Sequence, residues 1–240
     1  MSNLLNLAVE AHGGLRRWRH LRTMRANVSI TGALWHQKGK ADVLKNASVE
    51  AHLHDQRVLT HLTDQKKRMV FSPSQVALET EDGHTLERRD NPRSAFKHHR
   101  AETPWDDLHV AYFSNYALWT YFTIPFLYTY PGFVTEELSP WHEDGEEWRP
   151  LKVTFPDYIA SHNREQVSYF GENGLLRRHE YAVDILGGVR GLNYAADFQN
   201  VSGIMVPTKR KVYPTDAMKQ KVAEPILVAI DLSHIEFEAN

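Results

Sequence analysis

Hydrophobic positions along this chain change period more than once. Leu4, Leu7, Ala8, Ala11, Leu15 and Trp18 recur at steps of three and four, the spacing of an amphipathic helix. Gly13-Gly14 interrupts the run and predicts a C-cap, with a second short turn through Trp18. From Met24 the period drops to two. Met24, Ala26, Val28 and Ile30 alternate with polar partners, as a half-buried strand does. Val49, Ala51 and Leu53 alternate likewise, and further short strands are predicted at Met69–Phe71, Val76–Leu78 and Thr85–Arg88, the last after an Asp82-Gly83 turn.

The pattern then breaks. Asp90-Asn91-Pro92 and Glu102-Thr103-Pro104 punctuate a segment without alternation. Residues 103 to 107, TPWDD, predict a helix start with Thr103 as N-cap, Pro104 in the first turn and Asp106 three residues after the cap. That helix carries Leu108, Tyr112, Tyr116, Trp119 and Phe122 on one side and Val110, Phe113, Ala117 and Tyr121 on another, and should end before Pro125. Residues 112 to 133 hold ten of the chain's 26 aromatic residues, and no Lys, Arg, Asp or Glu occurs from Leu108 to Thr135. A helix apolar on both sides is expected to be buried on both sides. Its length would suffice for a membrane span, but Ser114, Asn115, three threonines, two prolines and scattered tyrosines argue against one.

Alternation returns after Gly132. Leu151, Val153 and Phe155 mark one strand, and residues 171 to 174, GENG, separate Val167–Phe170 from Leu175–Val183 as a hairpin. Asn200–Gly203 turns into Ile204–Val206. Ile226, Val228, Ile230 and Leu232 share a face, whereas Ile235 and Phe237 fall on the opposite parity, which predicts a bulge near Ser233. The fold class expected is α+β: one large curved antiparallel sheet of about ten strands, with helices at the start and middle, in one domain over residues 1–240.

Composition narrows the function. Charged residues are 24% and hydrophobic ones 42% of the 240, an ordinary globular balance. The net charge of −2 gives no electrostatic reason to expect nucleic acid or an anionic membrane. Lys66–Arg68 and Lys209–Lys211 read as solvated strand ends. With no cysteine, disulfides, thiol catalysis and thiolate metal sites are excluded. The opening residues lack the basic leader, apolar run and cleavage site of a signal peptide, so the expected compartment is the cytoplasm.

Several stretches carry a resemblance: AHGGLRRWRHLRT, DNPRSAF, TPWDDLHVAYFSNYALWTYFTIPF, WRPLKVTFP, ASHNREQVSYF, GLLRRHEY and VPTKRKVY. Together they cover most of the chain and resemble an uncharacterised bacterial family with the LolA/LolB-like fold of the lipoprotein-carrier superfamily. The order of elements is similar to that superfamily too. The resemblance implies a sheet curled into an incomplete barrel, with helices covering its apolar concave face.

Motifs for chemistry are few. The chain has no G-x-S-x-G, P-loop, G-x-G-x-x-G or H-E-x-x-H. Glu50, His52 and His54 share one strand face, a set that can hold a divalent cation, but a solvent-facing polar side explains them as well, and no metal or cofactor is expected. His98-His99 read as loop surface, and His162 as a hairpin-end histidine before a general base. Glu143 and Glu147 in WHEDGEEW read as a hairpin tip around Asp144-Gly145.

The reading that results is non-enzymatic binding of an apolar or lipid-like molecule between the sheet and the aromatic helix. Tyr112, Tyr116, Trp119 and Phe122 are its expected contact residues. The alternatives are an enzyme using His162 or the Glu50/His52/His54 face, and an interaction module with a filled core. Open sheet edges make a homodimer an expectation of the latter.

Overall fold

A computed structural model describes residues 3–100, 102–218 and 220–239. Two helices open the chain, α1 (Asn3–Ala11) and α2 (Leu15–Trp18), separated at Gly13-Gly14 as the sequence predicts. Then come β1 (Leu21–Thr31), a short α3 (Ala33–Gln37), β2 (Ala47–His52), β3 (Val58–Leu62), β4 (Lys67–Ser72), β5 (Gln75–Thr80) and β6 (Thr85–Asp90). The long aromatic helix α4 (Asp107–Thr123) follows. The second half is β7 (Val134–Glu137), β8 (Trp141–Glu143), β9 (Glu146–Thr154), β10 (Glu165–Phe170), β11 (Leu176–Val183), β12 (Val189–Val201), β13 (Ile204–Tyr213) and β14 (Val228–Ala239).

The fourteen strands found among the described residues belong to one antiparallel sheet, in the order β6-β5-β4-β3-β2-β1-β14-β13-β12-β11-β10-β9-β7, with β8 paired to β9 alone. The first strand pairs with the last, Ile30 opposite Ile230, so the two halves of the chain join in mid-sheet. The ladder does not close, and β6 and β7 are its edges.

Four strands beyond the expected ten appear: β3, β7, β8 and β12. In β3, Val58, Thr60 and Leu62 face inward, and the polar Thr60 and His61 mask the alternation. Gly191 lies inside β12, where a Cβ would come within 2.9 Å of the Tyr181 ring, so only glycine fits there. The predicted bulge near Ser233 is present. Between Arg25 and Asn27 the partners on β14 jump from Glu236 to Ser233, and His234 adopts a left-handed φ of 50°. Asp144 and Gly145, with φ of 52° and 79°, form the expected hairpin tip between β8 and β9.

One correction concerns α4. Its N-cap is Asp106, not Thr103. The Asp106 carboxylate accepts from the His109 N–H at 2.8 Å, and His109 Nδ1 accepts from the Asp106 N–H at 3.2 Å, a reciprocal cap. Arg89 of β6 grips the same carboxylate at 2.7 Å, which tilts the choice of cap toward the acidic residue. The helix stops at Thr123, before Ile124 and Pro125, as predicted.

Every residue from Leu108 to Thr123 is buried. Phe71 of β4 packs on Tyr112, while Tyr181 of β11 meets Tyr121. In the ladder β4 and β11 are seven spacings apart, about 33 Å in a flat sheet. A helix about 10–12 Å across reaches both only if the sheet curves. Most polar side chains within α4 have partners, although the Asn115 Nδ2 is buried without one. Ser114, Thr120 and Thr123 donate to carbonyls four residues back, and Asn115 accepts from Thr60 at 2.6 Å. Among the described residues, no helix is long and apolar enough to cross a membrane.

Candidate ligand site on the aromatic helix

Tyr112, Tyr116 and Trp119 recur at steps of four and three and lie on one side of α4. Against this side packs the segment 155–164 that joins β9 to β10. Its attachments are specific. Gln56 Nε2 donates to the Ala160 carbonyl at 2.7 Å, and the Ala160 N–H donates to Gln56 Oε1 at 2.8 Å. Arg93 Nη1 donates to the Ser161 carbonyl at 2.9 Å, and the Tyr158 hydroxyl to the Pro131 carbonyl at 2.6 Å. Most of these bonds hold backbone groups, so the strap has few apolar anchors apart from Phe155 and Ile159.

Two open clefts flank the strap. One, of about 590 Å³, has Tyr112 in its wall together with Pro73, Arg93, Phe155, Asn163 and Asp184. The other, of about 580 Å³, has Trp119 in its wall together with His54, Gln56, Arg57 and Tyr130. Tyr158 and Ile159 border both, so the strap is the partition. Tyr112 and Trp119 are only 1% and 0% exposed. Their rings reach the clefts from behind and are covered by the strap. Tyr116 and Phe122, the other two expected contact residues, line neither cleft and are packed inside. Trp119 is fixed by its Nε1–H, which donates to the His52 carbonyl at 2.7 Å.

His162 is one of the strap's most deeply buried residues. Its Nδ1 lies 3.0 Å from the Tyr116 hydroxyl and its Nε2 2.9 Å from that of Tyr121, and its ring stacks on Tyr181 at 3.9 Å. Burial, and then the nearby charge of His179 and Arg93, holds its pKa well below the ordinary imidazole value. A neutral imidazole donates through one nitrogen and accepts through the other, so the two tyrosines play opposite roles. The ring borders neither cleft, and its contacts with Tyr116, Tyr121 and Tyr181 fasten the strap to α4 and β11. A second buried chain runs from the Tyr128 hydroxyl to Ser168 Oγ at 2.6 Å and on to His179 Nδ1 at 2.9 Å. His179 Nε2 lies 2.6 Å from Gln166 Oε1.

Glu50, His52 and His54 are not brought together as a set. Glu50 binds Arg25 at 2.8 Å, and His54 turns to the Leu21 carbonyl and to Tyr130. Glu143 and Glu147 diverge as well. Glu143 packs against buried Arg178, and Glu147 stays outside with His142. His99 packs on Phe96 and His109 rather than lying free on a loop.

Arg210 is the residue that sequence reasoning misplaced. Lys209 and Lys211 point to solvent, but Arg210 between them is fully buried, its Nη2 donating to the Tyr121 carbonyl at 3.0 Å and its guanidinium 4.9 Å above the Tyr121 ring. It thereby serves the C-terminal turn of α4, where a cation meets the negative end of the helix dipole. Burial lowers its pKa to about 10, so it stays charged at neutral pH. The signal was available: Ile204, Val206, Thr208, Arg210 and Val212 share one strand face.

No family profile matches this chain, and no curated protein does. Solved structures do. A LolA superfamily protein from Nitrosomonas europaea is 9% identical with a TM-score of 0.55, over 98% of this chain and 93% of that one. A domain assigned to outer-membrane lipoprotein sorting from Vibrio parahaemolyticus is 10% identical with a TM-score of 0.52, over 98% and 92%. A DUF1329 family protein from Desulfovibrio piger is 12% identical with a TM-score of 0.47, over 98% and 92%. The expected cytoplasmic location is overturned by the Vibrio parahaemolyticus neighbour, which is assigned to outer-membrane lipoprotein sorting. The expectation had taken the lack of a leader in the first residues as a sign of compartment. Across nearly its whole length, this chain has the fold of the LolA superfamily.

Proposed function

We propose that this chain binds a lipid-like, amphipathic molecule against the Tyr112–Trp119 side of α4, with the segment 155–164 acting as a displaceable lid. The observation that carries it is the pair of clefts on one helix face, with Tyr158 and Ile159 of that segment and Pro73 bordering both. Each volume falls within the roughly 300–1,000 Å³ common for ligand sites. The rims mix Arg93, Arg164 and Asp184 with Pro73, Phe155 and Ile159, which suits a molecule with one wet end and one dry end. Once the lid is displaced, each methylene laid on the aromatic face contributes about 0.8 kcal/mol. Residues 1–240 act in this role as one domain whose sheet is an incomplete barrel, its concave face covered by the helices. The neighbour assigned to lipoprotein sorting supports a lipid, or the acyl part of a lipoprotein, as the ligand class.

The test is twofold: solvent extraction of the purified chain followed by mass spectrometry, and titration with a fluorescent fatty acid. Co-purified lipid, or saturable probe binding displaced by unlabelled fatty acid, supports the proposal. A chain that yields neither does not bind lipids. Tyr116 and Phe122, packed away from both clefts, would then favour the second reading, an interaction module with a filled core. Pairing along the edges β6 and β7 would make it a homodimer.

A further inference from the structure

A net charge of −2 hides a local excess of the other sign. Arg16, Arg17, Arg19 and His20 fall within five residues on and just after α2, and all four are exposed. Arg22 and Arg25 nearby are engaged with Glu50 and Glu238 and make a balanced group. Among the described residues, no carboxylate within 4.0 Å pairs with Arg16 or Arg17. Arg17 donates to the Ser202 carbonyl at 3.2 Å and lies over Gly203, where a Cβ would collide with its guanidinium. Arg16, Arg17 and His20 rim an open cleft of about 640 Å³ whose other walls include Leu21 and Phe237, with Glu10 the one acidic side chain among the described residues that line it.

The helix that carries these charges is rigidly placed. Trp18 is 0% exposed, stacks on Phe126 at 4.2 Å, and donates through Nε1 to the Tyr130 hydroxyl at 3.0 Å. Tyr130 also lines the Trp119 cleft. A single indole therefore links the cationic face to the mouth of the candidate ligand site.

We infer that α2 and the cleft beside it form a docking face for the headgroups of an anionic lipid bilayer, setting the Trp119 cleft against the membrane surface. Guanidinium groups suit phosphate oxygens because they donate in a planar fork. Each basic residue near an anionic surface strengthens binding severalfold, and salt screens the effect. Docking goes beyond the lipid-binding proposal and does not require it, since headgroups are met outside the lidded site.

The experiment is flotation of the full chain with vesicles of phosphatidylcholine alone and of phosphatidylcholine with about a third phosphatidylglycerol, at low and high salt. Binding is expected only to the anionic vesicles, falling steeply with salt. Arg16→Gln/Arg17→Gln should weaken it about thirty-fold with little change in melting temperature, because buried Trp18 is the main anchor of α2 and the Arg17 bond to Ser202 is exposed. Lys66→Gln/Lys67→Gln, a basic pair on another element, should leave it intact. Fluorescent fatty-acid binding by the arginine variant should be unchanged, so failure of docking and failure of lipid binding are told apart. The inference is overturned if neutral vesicles bind as well, if the lysine variant loses as much, or if no vesicle binds at low salt. It is likewise overturned if millimolar inorganic phosphate or a DNA duplex displaces the chain from vesicles at matched ionic strength, since the face would then serve a soluble anion or nucleic acid.

Discussion

Gln56 and Ala160 bond each other twice across 104 positions of sequence, the side-chain amide of one closing on the backbone N–H and carbonyl of the other at 2.8 and 2.7 Å. Gln56 lies in the turn between β2 and β3, and Ala160 is the midpoint of the strap over α4. Gln56→Ala removes both bonds and leaves two backbone groups facing the clefts. Such bonds contribute about 0.5–1.5 kcal/mol each, and Ala160 is partly exposed, so the expected loss of stability is about 1 kcal/mol. Hydrogen exchange should rise at residues 158–162 far more than in the sheet, and fatty-acid probes should associate faster. Unchanged exchange there would mean that the strap is held elsewhere.

Truncations on α4 should separate by position. Tyr116→Ala and Phe122→Ala empty packed space and should cost about 3–5 kcal/mol. Tyr112 backs onto an open cleft, so Tyr112→Ala should cost less while altering probe affinity. Urea unfolding alongside probe titration reads both quantities. Equal destabilisation at all three sites, with probe affinity unmoved, would make Tyr112 ordinary core.

Three of the buried histidines, His12, His162 and His179, contribute most plainly to the acid response. The pKa of His12 is lowered to about 4 and that of His179 to about 3, both chiefly by burial, and His162 is also held well below its ordinary value. In the folded chain these rings stay neutral, while unfolded histidine takes up a proton near pH 6.5. The unfolded state therefore binds more protons below that point. Stability should fall as pH drops from about 6.5 toward 4, by about 1.4 kcal/mol per pH unit for each ring. Asp106, lowered to about 2 with Arg89 and the His109 N–H as its stabilising partners against opposing desolvation, adds a separate loss below pH 4. Thermal melts from pH 7.5 to 4.5 check the first limb. A melting temperature flat down to pH 5 would contradict it.

Arg210 and Lys211 make a paired test of strand alternation. Arg210→Leu strips the last turn of α4 of its cation and leaves the Tyr121 carbonyl without its donor, for an expected cost of about 2 kcal/mol or more. Lys211→Leu, on the solvent side, should shift stability by less than about 0.5 kcal/mol. Equivalent effects would refute the inward placement of Arg210.

How far the chain could be read before its structure follows from these cases. The aromatic helix, its end before Pro125, the Gly13-Gly14 break, the Asp144-Gly145 tip and the β14 bulge were legible because each rests on local backbone chemistry or on a clean period. β12 was hidden by Gly191, whose missing side chain is required by Tyr181 on the neighbouring strand, a contact no local pattern shows. Arg210 was hidden by its flanking lysines, since a run of like charges masks alternation between the two faces. The strap was the deepest omission. Gln56, Arg93 and His162 are far apart in sequence, and they converge only because α4 brings β3 and β11 to opposite sides of one helix. Tyr112 and Trp119 were within reach as residues, but the fact that they face two clefts behind a lid was not.

The most direct test of the central claim is photo-crosslinking with a diazirine-bearing fatty acid, mapped by peptide mass spectrometry. If the lid opens onto the aromatic face, adducts should concentrate in the peptides holding Tyr112–Trp119 and residues 155–164, and excess unlabelled fatty acid should suppress them. Adducts scattered over the surface, or insensitive to competition, would contradict a lipid site under the strap.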